Sequence, residues 1–140
     1  MKSSLFFIMT LLALSGRAQS TDEQSIRALL DRQTVAWNRG DLEGFMKGYW
    51  ESDSLMFIGK NGIRYGWKTT LNGYKKGYPD TAAMGKLQFT LLDLRPLSRE
   101  YFHVIGKWHL YRSIGDLEGA FTLLFRKIKG EWVIIADHSS

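Results

Sequence analysis

Trp37-Asn38-Arg39-Gly40-Asp41-Leu42-Glu43-Gly44-Phe45 stops one helix and starts another within nine residues. Gly40 is the stop, because glycine tolerates the left-handed turn common at helix C-termini. Asp41 is the start, a short acidic side chain able to accept from the free N–H groups of the next turn. Upstream, Ile26, Leu29, Leu30, Gln33, Ala36 and Trp37 recur at three- and four-residue steps, so one face of a helix is mostly apolar. Thr21 or Ser20 can cap its beginning, and Asp22 and Glu23 suit the positive end of its dipole. Downstream, Leu42, Phe45, Met46 and Tyr49 share a face of a second, short helix.

Further along, Leu55-Met56-Phe57-Ile58-Gly59 reads as a strand, Lys60-Asn61-Gly62 as a turn, and Ile63 to Tyr65 as a short return strand. A third helix runs from Trp67 to about Lys76 with Trp67, Leu71, Tyr74 and Tyr78 inward, and Pro79 stops it. After Gly85 the period becomes that of strands: 86–94, 100–112, 117–129 and 131–138, an antiparallel meander with short connections. Helices first and strands last make the class α+β, with helices packed on one face of a sheet. Alternation predicts Phe102, Val104, Trp108 and Leu110 inward on one strand and Phe121, Leu123 and Phe125 inward on the next. On the last strand it groups Trp132, Ile134, Ala136 and His138 on the inner side, opposite Val133, Ile135 and Asp137. Apolar residues on the outer side, Ile105, Tyr111, Val133 and Ile135, fit a homodimer packed sheet to sheet.

The beginning of the chain has a different character. Lys2, an apolar run of ten residues from Leu5 to Leu14, and small residues at Gly16 and Ala18 have the layout of a secretory signal peptide spanning residues 1–18. Ten apolar residues are too few to span about 30 Å of hydrocarbon, so no membrane insertion is expected after cleavage. Residues 19–140 then form a single domain, exported to the periplasm or secreted. Loss of Lys2 and Arg17 lowers the formal charge from +5 to +3, and the remaining basic residues are dispersed, which argues against nucleic acid as a partner. With no Cys there can be no disulfide framework, thiolate metal site or cysteine nucleophile.

The opening Trp37–Phe45 segment resembles that of the nuclear transport factor 2-like superfamily, in its SnoaL-like, ketosteroid-isomerase-related branch. Tyr49-Trp50, Leu55, Phe57-Ile58, Tyr65-Gly66-Trp67, Gly119, Phe121-Thr122-Leu123-Leu124-Phe125 and the closing Asp137-His138-Ser139-Ser140 extend the similarity from about Thr21 onward. The resemblance implies a cone-shaped barrel: a curved antiparallel sheet wrapped against three N-terminal helices, often dimeric, with a pocket at the open end. It does not imply a reaction, since the fold hosts isomerases, cyclases, dehydratases and binding modules.

The residues themselves allow several chemistries. Tyr49, Phe57, Tyr65, Trp67, Tyr74, Phe89, Trp108, Phe121 and Trp132 can line a cavity for a small apolar or aromatic molecule, or serve as core. His138, inward by alternation, can be a general base or an orienting donor, or merely a polar cap on the terminal strand. Asp93 shares parity with Leu87, Phe89 and Leu91 and is a candidate base for isomerase-like chemistry, ahead of the loop acids Glu51 and Asp53. Asp137 falls on the opposite side from His138 and reads as structural. His103 and His109 lie outside and make no metal site; no phosphate cradle or nucleophile elbow is present, so neither metal nor cofactor is expected. The leading expectation is an exported small-molecule-binding domain. A pocket enzyme and a dimerisation module with a vestigial pocket are the alternatives.

Overall fold

Ser20 begins the first helix, its hydroxyl accepting from the Glu23 N–H at 3.1 Å. The computed structural model describes residues 20–140, and the leader expected at residues 1–18 lies outside them. The elements are α1 (Thr21–Asn38), α2 (Leu42–Met46), β1 (Met56–Gly59), β2 (Gly62–Tyr65), α3 (Trp67–Gly77), α4 (Thr81–Met84), β3 (Lys86–Pro96), β4 (Tyr101–Tyr111), β5 (Leu117–Ile128) and β6 (Glu131–Ser139). The periodic stripe of α1 is buried throughout, and Gly40 at φ 80° turns the chain into Asp41, whose carboxylate accepts from the Gly44 N–H at 2.7 Å. The turn of helix at α4 was not expected. Its Thr-Ala-Ala-Met is too short to carry a period, and Asp80 supports it by accepting from the Ala83 N–H at 2.8 Å.

Six strands form one curved, unclosed sheet in the order β2-β1-β6-β5-β4-β3. β3 to β6 are the expected antiparallel meander, closed at its last turn by Lys129 and Gly130, both at positive φ. The sheet as a whole is mixed rather than antiparallel, because β1 pairs parallel with β6. Local pattern does not carry that pairing. It is made by the chain leaving α2: Ile134 donates to the Gly48 carbonyl and accepts from the Trp50 N–H, each at 2.9 Å. The inner face of the sheet packs against the helices, with Phe102, Val104, Phe125 and Ile134 at the bottom of the core. Burial of each such side chain is worth about 1.5–3 kcal/mol against exposure.

β4 and β5 alternate as the sequence predicts, but β3 and β6 each carry one extra residue. On β3, Leu91 faces Gly106 and Asp93 faces Ile105, leaving Leu92 without a partner on β4. On β6, Ala136 faces Leu124 and Ile134 faces Phe125, leaving Ile135 as the extra residue. An inserted residue bends the strand and reverses the side on which every later residue points. Asp93 and His138 therefore turn outward, and Asp137 turns in. Both expectations built on parity beyond those points are corrected.

Candidate functional site

The helices and the inner face of the sheet line a partly open cavity of about 100 Å³. Trp37 from α1, Tyr74 from α3, Tyr78 just beyond it and Phe57 from β1 wall one side; Phe89, Trp108 and Phe121 wall the other. The rings interlock edge to face. Trp37 and Tyr78 have centroids 5.0 Å apart at 74°, and Phe45 and Phe57 meet Tyr74 at 5.4 and 5.7 Å. Such pairs contribute roughly 0.5–1.5 kcal/mol each beyond the area they bury. The rings thus hold one another and leave room for a ligand on the order of five non-hydrogen atoms.

Asp137 is the one carboxylate among the described residues of the lining, and it is 4% exposed. Its Oδ2 accepts from the Tyr49 hydroxyl at 2.7 Å, and its Oδ1 accepts from the Ser139 hydroxyl at 2.7 Å. Behind Tyr49 stands Tyr74, the two phenol oxygens 3.4 Å apart. Burial pushes the Asp137 carboxyl up to about 6, against the lowering effect of the Tyr49 and Ser139 hydrogen bonds and of the neighbouring His138. Burial likewise raises Tyr49 and Tyr74 well above the usual phenol range, with the charge of Asp137 adding to it. The phenols therefore stay protonated as donors while the carboxyl changes charge near neutrality. Tyr49 is held in place by an isolated bridge to Ile134, and Asp137 sits beside Phe57 in the parallel register of β1 and β6.

Trp108 supplies a second polar feature. Its indole N–H is buried without a hydrogen-bond partner among the described residues. The ring lies over Gly119 on β5, where a Cβ would come within 2.8 Å of Nε1. Gly119 is thus required for the close approach of this wall.

A structure of an NTF2-like protein of unknown function from Shewanella oneidensis MR-1 matches with a TM-score of 0.82 at 45% identity, covering 85% of this chain and 98% of that one. The chain belongs to the NTF2-like family. Two further structures are similar in fold: an NTF2-like protein of unknown function from Pseudomonas putida KT2440 and a ketosteroid isomerase-like protein from Erwinia carotovora atroseptica SCRI1043. The first has a TM-score of 0.68 at 19% identity over 88% of this chain and 89% of that one. The second has 0.67 at 16% over 86% and 96%. No family model and no curated protein matches the chain.

In this NTF2-like protein the cavity gathers six of the aromatic candidates: Tyr49, Phe57, Tyr74, Phe89, Trp108 and Phe121. The others lie elsewhere. Tyr65 is 59% exposed on the edge strand β2. Trp67 donates its indole N–H to the Met46 carbonyl at 2.9 Å and ties α3 to α2. Trp132 packs edge to face on Phe102 and donates to Asp22 at 3.0 Å, which places it under the start of α1. His138 is exposed on the outer face, and Asp93 points out toward Arg95 at 3.0 Å. Glu51 and Asp53 are exposed.

The lining also includes residues that sequence reasoning did not place in the pocket, among them Asp137, Ser139, Trp37, Phe45 and Tyr78. Both extra residues fall where two large aliphatics adjoin, Leu91-Leu92 and Ile134-Ile135, and an apolar doublet hides the loss of alternation.

Proposed function

We propose that the cavity binds a small, largely apolar molecule that places a polar group against Asp137. The observation that carries this reading is the aromatic wall closed around a single buried carboxylate whose hydrogen bonds leave lone pairs free, since an ionised carboxylate has about four acceptor positions. Apolar walls with a few convergent polar groups are the usual make-up of small-molecule sites. Heteronuclear NMR against a panel of small apolar compounds tests it: a binder should move the resonances of Phe57, Tyr74 and Asp137 together. If every compound leaves these unmoved, the dimerisation module with a vestigial pocket becomes the better description.

A second reading, acid–base catalysis, is favoured by one observation. A carboxyl raised to about 6 and hydrogen-bonded to a phenol can exchange a proton near neutral pH. Proton exchange at the α-carbon of small carbonyl compounds, followed by deuterium incorporation, would distinguish an enzyme from a binding module. Export rests on the leader pattern of residues 1–18. Homodimerisation rests on the apolar residues expected on the outer face, Ile105, Tyr111, Val133 and Ile135, and sedimentation at micromolar concentration checks it.

A further inference from the structure

Asp137 poses a question of charge balance. Among the described residues that line the cavity, none is a lysine, arginine or histidine. The groups facing the carboxylate are neutral donors: Tyr49 from the segment after α2, Ser139 from β6 itself, and Tyr74 from α3 one step further back. His138, the next residue along, is exposed on the other face of β6. Arg64 on β2 lies with its guanidinium 5.2 Å from the centroid of Phe57, and no ion pair joins it to Asp137. An ionised carboxylate in this place therefore has hydrogen bonds but no counter-charge.

A buried charge without a partner is costly, and a neutral ligand that displaces water from beside it makes the cost larger. A cation makes it smaller. Aromatic rings favour the same sign of ligand, because a cation near a ring face is attracted by its quadrupole, most strongly where water is excluded. The charge of the cavity and the chemistry of its wall point the same way.

We infer that the ligand of this cavity is a small organic cation, a protonated amine with a compact apolar body, whose ammonium group pairs with Asp137 while its alkyl part lies among Phe57, Tyr74 and Phe89. This rests on the binding role proposed above and specifies its substrate class. The cavity volume suits an amine of on the order of five non-hydrogen atoms. Because the Asp137 carboxyl stands at about 6, pairing should be complete above neutrality and lost as the pH falls through that value.

Isobutylammonium and isobutanol, matched in shape and differing in charge, make the test. NMR titrations of the protein are run at about pH 7.5 and about pH 5, on either side of the carboxyl's midpoint. The amine should bind on the order of tenfold more tightly than the alcohol at the higher pH, and lose that advantage at the lower. Asp137→Asn should remove the advantage, so that amine and alcohol bind the variant alike at both pH values. His138→Gln should leave the binding of both probes unchanged, which assigns the pH dependence to Asp137. If the alcohol binds as well as the amine at the higher pH, or Asp137→Asn leaves the amine's affinity intact, the cation inference is overturned and the binding reading stands. If neither probe moves cavity resonances, both fall. Should Asp137→Asn not fold, the pH dependence of the unmodified protein decides.

Discussion

β4 and β6 are both long strands of the same sheet, and they obey different rules. Along β4 every second residue from Phe102 to Leu110 turns to the helices, without interruption. Along β6, Trp132 and Ile134 turn in, Ile135 is the extra residue, and Asp137 turns in after it. The regular strand supplies wall and core; the interrupted one supplies the carboxylate. Were every residue of β6, Ile135 included, paired in strict alternation, His138 would enter the cavity and Asp137 would lie outside. One residue of backbone thus decides which ionisable group meets the ligand.

Deletions should show this contrast most strongly. Removing Ile105 from β4 reverses half of a strand that has no slack, and should cost more than the 5–15 kcal/mol that holds a domain of this size together. The expected readout is loss of a cooperative urea transition. Within β4 the largest single substitution should be Phe102→Ala, about 3–5 kcal/mol, because the side chain is 1% exposed and packed on Trp132. A loss below about 1 kcal/mol in chemical denaturation would contradict the packing described.

For β6 the informative variable is pH. The Asp137 carboxyl is raised from 3.8 to about 6, so between those values the folded protein binds more protons than the unfolded chain. Stability contributed by this group is then fully present at low pH and falls as the pH rises through that window. The stability of wild type relative to Asp137→Asn should fall by on the order of 3 kcal/mol between about pH 3.5 and 7. Parallel curves would mean that the carboxyl is not desolvated. Deleting Ile135 should do less, about 1–2 kcal/mol, since it restores plain alternation with Ile134 and Asp137 still inward. Its urea midpoint should shift while the transition stays cooperative. His138→Ala should be the smallest change, under about 0.5 kcal/mol, with ligand binding intact; loss of binding would return the histidine to the site.

The parts of the fold that follow local rules were legible. The α1 stripe, the Gly40-Asp41 junction, the β5–β6 turn and the alternation of β4 and β5 each depend on residues near one another in sequence. Among the cavity residues, Phe57, Tyr74, Phe89, Trp108 and Phe121 were found for the same reason, each lying before any extra residue on its element. Trp132 was misassigned for another reason. It does face inward, but the inner face of the sheet is divided between the cavity and the floor beneath α1, and alternation cannot tell one from the other.

By itself the sequence determined where helices stop and strands begin, which faces are apolar, and that aromatic rings would dominate the interior. These follow from periodicity and from the dihedral preferences of glycine, proline and capping residues, which act over a few residues. Long-range packing set the rest: β1 runs parallel to β6, Leu92 and Ile135 are extra residues, and Asp137 shares the cavity with Tyr49. Each of these is a pairing between segments distant in the chain. An extra residue is extra only in relation to the strand opposite it, so no single strand's own sequence can state it.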